Sequence, residues 1–244
     1  MSLNLLPHNK VPYLEIVDKF SKGAKSILYC SGTGTGKSYV TKELLNTTFD
    51  GKKILYVVPT LNIAKYLANI AGFSEYGDRL QFCTYRMFCN FNKSFAFIKS
   101  FDVVILDEVH HVGSDISGQN ITEMMSMVKA KFLGLTATPV REDGTNVSEF
   151  FEHKVQGLTH FEAIDKGLMP KFDYLVCSPK LNSLTAEQGK RVKISMTDSK
   201  EFLKSIVNVR PKNKWLAFFS SVEQLEEHVP LVTELFPDYK IYKL

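Results

Sequence analysis

Two short stretches hold the residue types that phosphate chemistry needs. The first is Ser31-Gly32-Thr33-Gly34-Thr35-Gly36-Lys37-Ser38. It fits a P-loop except that Ser31 stands where the first glycine is usual. Its glycines let successive backbone N–H groups face a polyphosphate, and the start of the following helix adds positive potential. Gly32, Thr33, Gly34, Thr35, Gly36, Lys37 and Ser38 are therefore candidate ATP-binding residues. Lys37 would reach the β- and γ-phosphates, and the Ser38 hydroxyl would bind Mg²⁺. The second stretch is Val103-Val104-Ile105-Leu106-Asp107-Glu108-Val109-His110. An apolar strand ending in two acids delivers Asp107 to the carboxyl edge of a sheet, where a P-loop also lies. Asp107 is the candidate partner of Mg²⁺, and Glu108 the group that orients the attacking water. Lys37, Asp107 and Glu108 are the candidate catalytic set. Alone, each stretch has a plainer reading, a Gly/Thr loop or an acidic surface turn. Together they point to nucleotide chemistry.

The elements that must position these residues follow from the hydropathy pattern. Short apolar runs at 26–30, 53–58, 80–83, 103–106 and 132–135 read as buried strands. Amphipathic stretches at 11–20, 37–45, 62–71, 122–128 and 159–166 read as helices. This alternation predicts an α/β fold with a parallel sheet flanked by helices. A weaker strand is expected at 174–177, a strand at 215–219, a helix from Val222 towards His228 that Pro230 breaks or kinks, and a last strand at 240–242. The expected organisation is one complete domain at 1–170, a connecting segment at 171–214, and the start of a second domain at 215–244.

The 244 residues carry a net charge of +4, too mild to prove a nucleic-acid partner. The charge is uneven: 171–214 holds ten Lys/Arg against four acids, a local excess of +6 that leaves the remainder at −2. That stretch is either a basic track or a solvated linker. Cys30, Cys83, Cys89 and Cys177 show neither paired nor zinc-type spacing and read as buried thiols of a reducing compartment. Pro7, His8 and Asn9 interrupt the short apolar start, so no signal peptide is expected, and no apolar run suits a membrane. A soluble intracellular protein is expected. His110 and His111, side by side at a strand end, should point to opposite sides and so make a poor metal pair. The aromatic cluster Phe82, Tyr85, Phe88, Phe91, Phe95 and Phe97 reads as core.

With these residues in place, the chain resembles superfamily 2 helicases. Asp107-Glu108-Val109-His110 looks like their DExH box, and Gly134-Leu135-Thr136-Ala137-Thr138-Pro139 looks like motif III. Val58-Pro59-Thr60-Leu61 resembles motif Ia, Thr84-Tyr85 the next strand-contacting motif, and Trp215-Leu216-Ala217-Phe218-Phe219-Ser220-Ser221 motif IV. Arg141-Glu142-Asp143-Gly144, directly after Thr-Ala-Thr-Pro-Val, is similar to the XPB-like, phage UvsW-like and type III restriction-subunit branch. The resemblance implies a RecA-like P-loop domain with the beginning of a second. It also implies Mg²⁺–ATP hydrolysis coupled to movement on, or remodelling of, duplex, forked or branched DNA, as in DNA repair and recombination. RNA is the weaker candidate, and no protein partner is specified. His110, Thr136 and Thr138 would couple the nucleotide site to the DNA surface. Pro59, Thr60, Thr84, Arg86 and Arg141 would contact DNA.

The chain departs from the family pattern at three points besides Ser31. Asn9 in Leu6-Pro7-His8-Asn9 occupies the position of an adenine-reading Gln, and is expected to bind ATP there with altered base selectivity. Tyr66 stands where a Gln is common. The chain ends at Leu244, before motifs V and VI with their arginine finger, so slow ATP turnover is expected of it. A non-catalytic, ATP-gated DNA-binding module and a restriction-complex translocase that moves without separating strands are the alternatives.

Overall fold

The computed structural model describes residues 5–69, 72–90, 95–112, 115–141, 143–170, 221–235 and 237–238. The chain divides into two compact units, Met1–Phe172 and Asp173–Leu244. The expected strands at 174–177, 215–219 and 240–242, the basic stretch 171–214 and nearly all of the motif IV segment lie outside the described residues.

In the first unit the helices are α1 (Pro7–Ser21), α2 (Lys37–Asn46), α3 (Leu61–Asn69), α4 (Tyr85–Asn90), α5 (Phe95–Ile98), α6 (Asp115–Met127) and α7 (His160–Asp165). The strands are β1 (Ser26–Cys30), β2 (Ile54–Val58), β3 (Leu80–Thr84), β4 (Val103–Asp107), β5 (Lys131–Thr136) and β6 (His153–Gln156). They form one sheet in the order β3-β2-β4-β5-β1-β6, with every neighbouring pair parallel. This is the α/β, RecA-like sheet expected of a P-loop domain.

A parallel sheet needs crossovers, and crossovers cover both of its faces. Strands β1 and β2 are accordingly buried at every position. Successive side chains alternate between two apolar layers. Ile27, Tyr29, Ile54, Tyr56, Val103, Ile105 and Leu133 pack with Ile16 and Phe20 of α1 and Val40 and Leu44 of α2. Leu28, Leu55, Val57, Val104, Leu106 and Phe132 pack on the other side with Phe88, Ile98 and Met124. Pro7 opens α1 in its first turn, where a missing N–H costs nothing, and Asn9, Pro12, Ile16 and Phe20 form its buried stripe. Phe88 and Tyr85 are buried, and Phe82 and Phe97 pack against the two layers, so these four aromatics are core. The side chains of Phe91 and Phe95 lie outside the described set. Cys30 and Cys83 are buried thiols.

Three expectations need correction. Strand β6 was not anticipated: it is an edge strand in which Val155 alone is buried, so it lacks the apolar run of its neighbours. In the second unit, helix α8 (Val222–Leu235) carries Pro230 internally, so of the break or kink expected there the break does not occur. A proline removes one donor and crowds one carbonyl, and the remaining turns sustain the helix here. Finally, His110 and His111 do not lie on a strand end. They sit in a 3-10 turn, Val109–Val112, and their rings touch with centroids 4.4 Å apart. Among the described residues, no helix is long and apolar enough to cross a membrane.

Candidate nucleotide site

Sheet order brings the chemistry together. Strands β4, β5 and β1 are consecutive, with Cys30 opposite Thr136 and Asp107 opposite Leu135. The P-loop leaving β1, Thr136 ending β5 and Asp107 ending β4 therefore share the carboxyl edge. This is where an open α/β sheet places its ligands.

The loop is shaped by its own polar atoms and by the segment after β6. Gly36 takes φ 101°, a left-handed conformation glycine adopts without strain, and Lys37 begins α2 directly after it. Ser31 Oγ donates to the Leu158 carbonyl at 3.1 Å and lies 2.7 Å from Thr35 Oγ1, which itself donates to the Gly32 carbonyl. These bonds explain a serine at the first loop position. The Gly32 amide donates to the Leu158 carbonyl at 2.7 Å. A β-carbon on Gly32 would stand 2.8 Å from the His160 backbone nitrogen, so only glycine fits there. The stretch from Leu158 to His160 as a support of the loop was missed from sequence. Its signals were Gly157, whose β-carbon would meet Ser31, and the Thr159/Glu162 capping box that starts α7. Met169, from the turn after α7, lies against Gly34.

The first turn of α1 braces the loop from the other side. Asn9 Nδ2 donates to the Thr35 carbonyl at 3.0 Å, and His8 Nε2 lies 3.0 Å from the same oxygen. Asn9 is only 1% exposed, and its Oδ1 has no hydrogen-bond partner. Its amide thus faces the loop backbone.

At the acid pair, Lys37 Nζ donates to the Ser31 carbonyl at 3.0 Å and lies 3.9 Å from Glu108 Oε1. Asp107 accepts from the Glu108 amide, and Tyr85 fixes the strand end by donating to the Asp107 carbonyl at 2.8 Å. Burial, and then the neighbouring Glu108 charge, push the Asp107 carboxyl up to about 6. Glu108 has φ 49°, the sole positive φ at a non-glycine among the described residues. Such a conformation persists only where surrounding contacts hold it, and it turns the carboxylate towards Lys37. His110 Nδ1 lies 3.0 Å from Thr136 Oγ1 and 3.4 Å from Glu108 Oε2. Burial, then the neighbouring His111, lower the His110 pKa. Thr136 Oγ1 donates to the Thr138 carbonyl and accepts from the Thr138 amide, both at 3.1 Å. The three coupling candidates are thus hydrogen-bonded to one another, with Glu108 beside the His110 ring.

The DNA candidates divide. Pro59 and Thr60 follow β2, while Thr84 and Arg86 end β3 and begin α4, with Val58 opposite Thr84. These four share one corner of the carboxyl edge. The Thr60 and Thr84 hydroxyls accept from the Ile63 and Met87 amides at 3.4 and 3.3 Å, as turn-capping groups. Arg141 stands apart from them, beyond β5. Tyr66, on α3, is exposed.

Residues 74–141 match the model of the type III restriction enzyme, res subunit. No curated protein sequence matches the chain. Among solved structures it is similar to the Hef helicase domain of Pyrococcus furiosus (18% identity, TM-score 0.49, covering 65% of this chain and 40% of that one). It is similar also to the UvsW helicase of bacteriophage T4 (16%, 0.46, 63% and 60%). A third is a fragment of a putative HsdR subunit of a type I restriction enzyme from Vibrio vulnificus YJ016 (24%, 0.46, 66% and 31%). The chain therefore spans less than two thirds of each of these structures.

Proposed function

We propose that this chain is the ATP-hydrolysing part of a superfamily 2 motor that moves on or remodels duplex, forked or branched DNA. The observation that carries the reading is the meeting of Lys37, Glu108 and the His110–Thr136 pair at one sheet edge, beside Asp107. Lys37 neutralises charge developing on the transferred phosphoryl group, and Glu108 orients the attacking water. Ser38 and Asp107 fit Mg²⁺ by their donor chemistry: a hydroxyl and a carboxylate are hard oxygen ligands of the kind that ion takes. Two oxygen ligands beside substrate phosphates are also the usual protein share of such a site. Bound there, Mg²⁺ supplies charge neutralisation of the phosphates. His110 lies beside Glu108 and is bonded to Thr136, which is bonded to Thr138, and this chain of neighbours would give occupancy of the site a route to the loop after β5.

The test is ATP turnover with and without duplex or forked DNA, in the unaltered chain and in Glu108→Gln. DNA-stimulated turnover that Glu108→Gln abolishes, with ATP binding kept, is expected. Turnover indifferent to DNA or to Glu108 refutes the reading. The res-subunit match favours a second reading, translocation without strand separation. Displacement of a triplex strand without unwinding of a fork selects it.

A further inference from the structure

Resting on that reading, we propose that Arg141 is a positioning residue for the Glu108–His110 turn and makes no contact with DNA phosphate. Its guanidinium is already engaged within the domain. Nη1 donates to the His110 carbonyl at 3.2 Å, across the gap between the ends of β5 and β4. Nη2 pairs with Asp143 Oδ2 at 3.2 Å, and the side chain is only 21% exposed. A carboxylate two residues away cancels the charge that would attract a phosphate. A DNA-contacting arginine is better served by open donors and an unneutralised charge.

The backbone around Arg141 is built to hold it. Val140 and Asn146 face each other in an antiparallel bridge. The Arg141 amide donates to the Thr145 carbonyl at 2.9 Å, and the Gly144 amide to the Arg141 carbonyl at 3.0 Å. Asp143 Oδ1 accepts from the Thr145 amide at 2.9 Å, which fixes the carboxylate that in turn orients the guanidinium. The Val147 amide donates to the Pro139 carbonyl at 2.8 Å and ties the base of this bridge to the end of motif III.

The receiving side is the turn that bears Glu108. With φ at 49°, Glu108 reverses the chain, and the His111 amide returns to the Glu108 carbonyl at 3.0 Å. The His110 imidazole bonds Thr136 on one side of this turn, and its carbonyl accepts from Arg141 on the other. Thr136, at the end of β5, and Arg141, in the loop after it, thus hold the turn at two points, the His110 ring and the His110 carbonyl. One grip alone leaves the turn free to rotate about it. Two set the direction of the Glu108 carboxylate beside Lys37. A guanidinium suits this task because its planar fork serves the carbonyl and Asp143 at once, and an ammonium does not reproduce both bonds.

The experiment compares the unaltered chain with Arg141→Ala, Arg141→Lys and Asp143→Asn. It measures hydrogen exchange at the His111 amide, kcat and KM for ATP, and duplex affinity against salt without nucleotide. Positioning predicts that Arg141→Ala exchanges His111 faster and lowers kcat, each roughly 10-fold or more, as expected for losing a charge-assisted bond. KM, duplex affinity and salt slope should stay unchanged, with Arg141→Lys recovering part of kcat and Asp143→Asn losing a smaller part. A phosphate contact predicts the reverse: unchanged exchange, weaker duplex binding, and a salt slope shallower by about 0.9. That result overturns the proposal, as does an active unaltered chain whose kcat and His111 exchange ignore Arg141→Ala. Failure of the unaltered chain to bind ATP refutes the motor reading instead, whatever the variants do.

Discussion

Replacing Asp107 with Asn should stabilise the fold while weakening the nucleotide site. In the folded protein the carboxyl is raised to about 6 from its ordinary 3.8, by burial and by Glu108. A rise of about two units, at about 1.4 kcal/mol each, sets an upper bound of ~3 kcal/mol on the cost of its ionisation. Partial solvent access reduces the expected figure to ~1–2 kcal/mol. The sign follows from proton uptake: between pH ~4 and ~6 the folded state keeps a proton that the unfolded state has released, so stability falls as pH rises through this window. Above it, the full cost is present. Asn keeps an oxygen for the Glu108 amide and carries no charge, so its advantage is absent near pH 4 and complete by pH ~7.5. For a domain of this size the gain corresponds to a Tm higher by ~2–8 °C. The assay is thermal unfolding of both proteins in chelator at the two pH values, repeated with Mg²⁺ and ATP at the higher one. Ligand should raise Tm for the unaltered protein and much less for the variant. Equal Tm values at pH 7.5, or the same gain at both pH values, would sink the electrostatic argument.

Lys37→Ala should abolish ATP binding or turnover, whereas Thr136→Val should leave binding intact and lower DNA-stimulated turnover; isothermal titration and steady-state rates separate the two. Gly32→Ala puts a methyl 2.8 Å from the His160 nitrogen, a backbone atom that cannot swing aside. Overpacking of this kind costs ~1–3 kcal/mol, so a lower Tm together with lost ATP affinity is expected, and a neutral variant would show that α7 does not rest on the loop. Asn9→Ala removes a buried bond to Thr35, worth ~1 kcal/mol, and should weaken ATP and GTP alike by about fivefold. A loss confined to ATP would show instead that Asn9 reads the base.

The sheet was legible because burial on both faces forces continuous apolar runs. Ser26 to Cys30 and Val103 to Asp107 can scarcely be anything but central strands once a P-loop and an acid pair follow them. Edge strand β6 has one buried residue and leaves no such trace. The upstream half of α6 lies in Asp115-Ile116-Ser117-Gly118, whose polar and glycine residues hide a helix that packing elsewhere sustains. At the site, residue types told which groups do chemistry but not how they are held. The left-handed Glu108 has no sequence signature, because non-glycine residues reach that conformation only through tertiary contacts. The bond from Arg141 to His110 joins residues 31 positions apart, and Ser31 answers to Leu158 across 127. The sequence offers Arg141 as a DNA contact, and its bond to His110 and pairing with Asp143 leave no mark there.

Strand order also sets when the nucleotide site is born during synthesis. Strands β2, β3 and β4 pair with one another within 54–107, so that half of the sheet is complete early. Strand β1, which leads into the P-loop, has only β5 and β6 as neighbours, and these arrive at 131–136 and 153–156. The Leu158 carbonyl that fixes Ser31 and Gly32 comes later still. At ~5–20 residues per second, the ribosome leaves the P-loop strand unpaired for some ~5–20 s after it is made, and without its second neighbour for ~6–25 s. Over that interval a nascent chain holds an apolar, edge-exposed segment next to an unformed phosphate grip, so ATP can steady the domain only once almost all of it has emerged.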